Sequence, residues 1–169
     1  RNFPYRPEQP YFDESQFLEI HNLPPSVSVR YNSHKFQNSI HSGWTWSFHS
    51  SPVPWTSNGF YLRERPVFTL DPLLHAGAYY VQEASSMFIE FIWKSLFNDH
   101  DELRVLDLCA APGGKTTLLS CMPGIKMILA NEIIKSRVGI LYENIVKWGD
   151  PRVLISNNDP SEIGICKSP

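Results

Sequence analysis

The stretch Val105-Leu-Asp-Leu-Cys-Ala-Ala-Pro-Gly-Gly-Lys-Thr-Thr117 decides the fold. Arg104 to Leu108 is a short apolar run between polar Asp101-Glu102 and a Pro-Gly-Gly turn, so it reads as a buried strand feeding a turn. The helix opened by Gly113-Gly-Lys-Thr-Thr-Leu-Leu-Ser120 is expected to stop near Pro123-Gly124, because neither residue suits a helix interior. Lys126 to Ala130 forms the next expected strand. A helix over Ile134 to Trp148 follows, with Val138, Leu141, Ile145 and Trp148 on one face, and Gly149-Asp-Pro151 ends it. Val153 to Ile155 makes a third strand. This βαβαβ order is the first half of a doubly wound α/β sheet, with parallel strands and right-handed crossovers. Only a short polar tail follows Asn157-Asn-Asp159, so the sheet is expected to keep an uncovered edge, as a fragment would.

Upstream the composition changes. Residues up to Pro72 are rich in Pro, Ser, Asn, His and Trp and show only short periodic segments, which predicts a small α+β domain over 1–72 and the incomplete sheet domain over 73–169. Within the first, Asp13 to Ile20 reads as a short helix and Ser26 to Tyr31 alternates as a half-buried strand does. Trp44, Trp46, Trp55, Phe60 and Tyr61 are expected to supply its own small core, an aromatic platform for bases being the other use of such residues. The second domain is expected to begin near Ala76 to Gln82. Ser85 and Ser86 could cap a helix with Phe88, Ile89, Ile92, Trp93 and Leu96 on one face.

Composition bounds the function. The chain is 42% hydrophobic and 13% aromatic, enough for a buried core, and its net charge of −2 gives no overall pull toward nucleic acid. RNA binding must then rest on a local patch; Arg30, Lys35, Arg63, Arg65 and Lys94 could form a basic stripe or be scattered, solvated cations. Cys109, Cys121 and Cys166 make neither a disulfide framework nor a zinc-ligand spacing, which fits a reducing, cytoplasmic setting and no metal. No apolar run has the length of a signal peptide or approaches the roughly 20 residues of a membrane helix.

A strand, turn and helix of this kind binds ligands at the carboxyl end of the strand, where the helix start offers unpaired N–H groups. Three ligand classes use that geometry. A phosphate loop needs another Gly five residues before Gly114, and position 109 is Cys. A dinucleotide fingerprint fails at its first two glycine positions. A plain tight turn between core elements is the bland alternative, weakened by two glycines and Lys115 together at a helix start. S-adenosylmethionine, held through its amino acid portion, is the reading that remains. Glu132, just after the second strand, stands where a carboxylate can accept from both ribose hydroxyls, although acidic residues there also cap helices. Asp159, after the third strand, could accept from the adenine amino group or simply shape an Asn-Asn-Asp-Pro turn.

Asp107-Leu-Cys-Ala-Ala-Pro-Gly-Gly-Lys-Thr116 resembles the cofactor loop of the Nop/Sun RNA 5-methylcytosine methyltransferases. Ser28-Val-Arg-Tyr-Asn32 resembles that family's Ser-Val-Arg-x-Asn strand, and Tyr80-Val-Gln-Glu-Ala-Ser-Ser86 its Gln-Asp/Glu-x-x-Ser segment. Phe68 to Tyr80 resembles the bacterial RsmF-like branch, which modifies small-subunit ribosomal RNA. The resemblance implies a Rossmann-like S-adenosylmethionine-dependent methyltransferase domain, here its first βαβαβ half. It implies that Cys109, Ala110, Ala111, Pro112, Gly113, Gly114 and Lys115 line the methionine part of the cofactor. Glu132 would take the ribose and Asp159 the adenine, with Arg137 near the site. The implied reaction moves a methyl group to C5 of a cytosine, in 16S ribosomal RNA first and transfer RNA second. The family's two reacting cysteines sit in later Pro-Cys and Thr-Cys motifs that this sequence lacks. None of Cys109, Cys121 and Cys166 is therefore assigned as nucleophile, and the chain alone is expected to be inactive. A non-catalytic fragment that binds RNA or a partner is the other reading.

Overall fold

The computed structural model describes residues 13–35, 49–97 and 102–163. Helix α1 (Glu14–Asn22) starts at Asp13, whose carboxylate accepts from the Gln16 N–H at 3.1 Å and so occupies one of the donors a helix start leaves open. Strands β1 (Val27–Tyr31), β2 (His49–Pro52) and β3 (Gly59–Leu62) follow. A 3-10 turn at Phe68–Leu70 leads into the single turn α2 (Pro72–His75), and then comes β4 (Tyr79–Val81). These four strands form an antiparallel sheet in the order β2-β3-β1-β4.

The first sheet therefore runs past residue 72. Val29 pairs with Val81 and Tyr31 with Tyr79, so β4, which was expected to open the second part, completes the first sheet on the far side of β1. With β3 on its other side, β1 is a central strand rather than an exposed edge.

After a 3-10 turn at Ala84–Met87, helix α3 (Phe88–Leu96) leads to the second sheet. Here β5 (Leu103–Asp107), α4 (Gly114–Leu119), β6 (Ile125–Asn131), α5 (Lys135–Trp148) and β7 (Val153–Ser156) follow the expected alternation, and a last turn, α6, spans Pro160–Ile163. The strands are parallel in the order β5-β6-β7. Val105, Ile128 and Val153 pack toward the helices, whereas Leu106, Leu129 and Leu154 sit side by side in register on the other face. There Leu106 is 44% and Leu154 51% exposed.

The structure overturns one of these expectations and refines two. The strand Ser26 to Tyr31 was expected to be half-buried, yet Ser28 through Tyr31 are all buried, because the polar face of β1 lies against α4 instead of water. The first part was expected to have its own core. In part it does not: Val53, with Trp55 and Tyr61 at the margin, joins a core shared with Met87, Trp93, Leu118, Met122, Ile125 and Ile128 of the second part. A second apolar group, with Phe60 at its margin, joins Val29, Tyr31, Leu62, Phe68 and Tyr79. Trp44 and Trp46 lie outside the described residues. Finally, the apolar stripe of α3 faces largely outward: Phe88, Ile92 and Leu96 are exposed, and the residues buried are Trp93 and Glu90. Glu90 turns inward because the Thr56 hydroxyl, the Ser57 N–H and the Lys94 ammonium all donate to its carboxylate.

A polar latch joins the two parts. The Asn32 amide donates to the carbonyls of Gly77 and Trp148, and the Lys35 ammonium donates to those of Ala76 and Lys147. Buried Asp150 receives Arg152 at 2.7 Å and lies 3.7 Å from His34. Burial disfavours the Asp150 carboxylate, but the Arg152 side-chain and backbone hydrogen bonds outweigh it and hold the carboxyl below its ordinary 3.8. The stability this shift contributes is present above pH 3.8 and is lost as pH falls through the lower folded-state value. Acid unfolding of Asp150→Asn should consequently lose part of its dependence on pH below that point, measured by circular dichroism. Leu118 is fully buried in the shared core, so Leu118→Ala should cost roughly 2–5 kcal/mol in urea unfolding and loosen both parts in a single transition.

Candidate functional site

The carboxyl ends of β5, β6 and β7 meet at the turn 108–113, the position where doubly wound sheets bind ligands. The sequence folds this way locally because Gly113 takes a φ of 106°, open to glycine and costly for other residues. Thr116, in the first turn of α4, then donates its hydroxyl to Asp107 at the end of β5, 2.7 Å away. The Ala110 N–H donates to the Asn131 carbonyl at 2.8 Å and the Ala111 N–H to Glu132 Oε2 at 3.2 Å, binding the turn to the end of β6. Asn131, fully buried, donates its amide to the carbonyls of Leu108 and Asn158 and so joins all three strand ends.

The turn's carbonyls are drawn back into the protein. Arg137 donates to the Ala111 carbonyl at 2.6 Å. The Tyr80 hydroxyl, at 3.2 Å, and the Asn144 amide, at 2.8 Å, both donate to the Pro112 carbonyl. The Gln82 amide donates to the Gly114 carbonyl at 3.1 Å. From β1, Arg30 donates to the Gly114 and Thr117 carbonyls, to the Thr117 hydroxyl at 2.7 Å and to Gln82 Oε1 at 2.7 Å. Its guanidinium stands 4.6 Å from the centre of the Trp148 ring. Burial pushes Arg30 down to about 10, which still leaves it charged at neutral pH.

The turn residues and Glu132 come together, whereas Asp159 contacts only its own turn. Ala110, Ala111 and Gly113 are buried in the floor of the turn, with Cys109, Pro112 and Lys115 exposed at its rim and Gly114 between the two. Glu132 is 2% exposed; one oxygen accepts from the Ala111 N–H and the other from the Ile134 N–H at 2.9 Å, with Arg137 3.6 Å away. Each oxygen has further acceptor capacity, so the carboxylate fits a diol once Arg137 moves aside. Asp159 is exposed and caps α6, accepting from the Ser161 hydroxyl at 2.6 Å and its N–H at 2.9 Å; these bonds hold the carboxyl below its ordinary value. Among the described residues no group of three or more His, Cys, Asp or Glu could hold a metal ion. No helix of them is long and apolar enough to cross a membrane.

The basic stripe does not form. Arg30 is buried, Lys94 pairs with Glu90 at 2.7 Å and Lys35 is spent on carbonyls, leaving Arg63 and Arg65 exposed. Cys121 is partly buried and Cys166 lies outside the described residues. Sequence reasoning missed Tyr80, Gln82, Asn131 and Asn144 as supports of the turn. Tyr80 and Gln82 fell inside a recognised motif, whereas nothing local marks Asn131 or Asn144.

Residues 9–84 match the family described as the N-terminal domain of 16S rRNA methyltransferase RsmF, and residues 94–167 match 16S rRNA methyltransferase RsmB/F. The chain belongs to the RsmB/F methyltransferase family. Ribosomal RNA small subunit methyltransferase F of Shewanella piezotolerans is 31% identical over 88% of the chain, and its counterpart in Shigella dysenteriae 35% over 94%. The chain spans 32% and 34% of those two proteins, about a third of their length. A methyltransferase homolog from Pyrococcus horikoshii superposes with a TM-score of 0.71 at 29% identity, covering 86% of the chain and 48% of that protein. NSun6 from the same organism, crystallised with the S-adenosylmethionine analogue SFG, superposes with a TM-score of 0.51 at 26% identity over 59% of the chain and 25% of its own. The family is S-adenosylmethionine-dependent, and its Rossmann-like fold is the one whose first half β5 to β7 trace.

Substituting Gly113→Ala places a Cβ on a backbone at φ 106° and should cost about 1–3 kcal/mol, read as a lower midpoint in urea unfolding. Gly139→Ala, in α5 with open space around it, should leave the midpoint the same or raise it slightly.

Proposed function

We propose that the turn Cys109 to Lys115 holds the methionine portion of S-adenosylmethionine, and that the chain forms the cofactor half of an enzyme that methylates C5 of a cytosine in 16S ribosomal RNA. The observation that carries this reading is the contact between the turn and the end of β6, where the Ala111 N–H reaches Glu132 at 3.2 Å. That contact sets an amino-acid-sized turn beside a diol-accepting carboxylate, at the spacing a nucleoside with a short polar arm requires. Glu132 takes the ribose hydroxyls, Arg137 swinging from Ala111 to admit them, and Asp159 accepts from the adenine amino group. The cofactor supplies an electrophilic methyl on its sulfonium. This chain's residues bind and orient it, and the buried Ala110 and Ala111 keep the floor of the turn dry.

The substrate assignment rests on relatives named for small-subunit ribosomal RNA, with transfer RNA as the less favoured choice. A ribosomal substrate also favours a cytoplasmic setting. None of the cysteines is assigned the attack on the base: Cys109 belongs to the cofactor turn, and Cys121 adjoins buried Met122 at the end of α4. Calorimetric titration of the chain with S-adenosylmethionine and S-adenosylhomocysteine should show saturable binding to both. Glu132→Ala should weaken each by at least about tenfold, since it removes acceptors for two hydroxyls. Absence of binding by a folded chain, or undiminished binding by the variant, would overturn the assignment.

A further inference from the structure

Arg30 is the largest fully buried side chain in the described residues, and it comes from the first sheet, not from the domain that carries the turn. Its bonds to the second domain converge on one short segment, the Gly114 carbonyl, the Thr117 carbonyl and the Thr117 hydroxyl. Gln82 shares the Gly114 carbonyl and also accepts from Arg30 Nε, so the guanidinium is oriented before it reaches α4. The fit is close: a Cβ at Gly114 would stand 3.2 Å from Tyr80 Cε1 and 3.6 Å from Gln82 Nε2. Thr116, meanwhile, is held from the opposite side by Asp107.

In a planar trans peptide the C=O and the following N–H point in opposite directions. Drawing the Gly114 carbonyl toward Arg30 and Gln82 therefore turns the Lys115 N–H away from the first sheet. Among the described residues, no carboxylate lies within ion-pair distance of Arg30; Glu90 and Cys121 act on it only as neighbouring counter-charges, and the acceptors it shares with the turn and Gln82 are neutral, so a buried cation stands directly behind the turn.

We propose that Arg30 is a positioning residue for the cofactor turn: it fixes the Gly114–Lys115 peptide with its N–H outward and places a buried cation behind it, so that the first sheet sets affinity for the amino acid carboxylate of the ligand. The inference rests on the S-adenosylmethionine reading above and extends it to a residue of the other domain. A merely structural Arg30 would support all ligands equally; a positioning Arg30 acts on the amino acid portion and not on the adenosine.

The test compares S-adenosylhomocysteine with 5′-methylthioadenosine, which keeps the adenosine and lacks the amino acid, by calorimetric titration of the full chain and its Arg30→Met variant. Arg30→Met should bind S-adenosylhomocysteine about tenfold more weakly while holding methylthioadenosine as the unaltered chain does. Arg30→Lys, which keeps the charge but not the fork, should fall between the two. Equal losses for both ligands, or no loss for either, would overturn the proposal. Should Arg30→Met fail to fold, Thr117→Val decides, because it removes the hydroxyl that accepts from Arg30 at 2.7 Å and itself donates to the Gly114 carbonyl at 3.1 Å while leaving the guanidinium in place: a smaller loss confined to S-adenosylhomocysteine supports the role, and unchanged or equal losses refute it. An unaltered chain that binds neither ligand overturns the cofactor assignment and this inference with it. Binding by the unaltered chain with an indifferent Arg30→Met overturns this inference alone.

Discussion

The buried guanidinium of Arg30 is the constraint around which the two sheets are arranged. A cation taken out of water is tolerated only where its donors are met, and the acceptors here come from both parts of the chain: Gln82 beside β4, and Gly114 and Thr117 of α4. Separating the sheets would leave that charge stripped of partners or force it back into water. Trp148 at the end of α5 closes the other side, and the Asn32 amide, two residues further along the chain, donates to the Trp148 carbonyl. A short stretch of β1 thus reads the positions of α4 and α5 together.

The same arrangement explains why two small sheets behave as one body. Neither is large, and the three parallel strands receive helices on only one face among the described residues. Val53, Met87 and Trp93 therefore contribute to the burial of Leu118, Met122 and Ile128, and the shared apolar surface stabilises both units. The opposite face of the parallel sheet keeps its row of Leu106, Leu129 and Leu154, the side that a doubly wound architecture covers with a second helical layer.

At the turn, tightness arises from carbonyls, not from the helix that follows. Helix α4 is only six residues long, so its macrodipole is a small contributor. Arg137, Asn144, Tyr80, Gln82 and Arg30 instead hold successive carbonyls inward, leaving the rim residues Cys109, Pro112 and Lys115 facing solvent. Preorganisation of this kind lowers the ordering cost of binding.

The parallel βαβαβ unit is legible in the sequence, because apolar runs of strand length, the Pro-Gly-Gly turn and the αL glycine at 149 are local signals that each element obeys on its own. It also brought Cys109 to Lys115 and Glu132 together, since consecutive parallel strands must end on the same edge. What the polar half of β1 faces is set by distant contacts. Alternation fixes that Ser28 and Arg30 share a side, but whether that side meets water or α4 depends on contacts across 84 to 87 residues of chain. The same holds for α3, whose apolar stripe marks one face without fixing what covers it. Partners at Thr56 and Ser57, more than 30 residues away, made it cheaper to bury Glu90 and leave Phe88 and Ile92 outside. Periodicity reports which residues lie together on an element; burial is settled by whichever surface arrives to satisfy them.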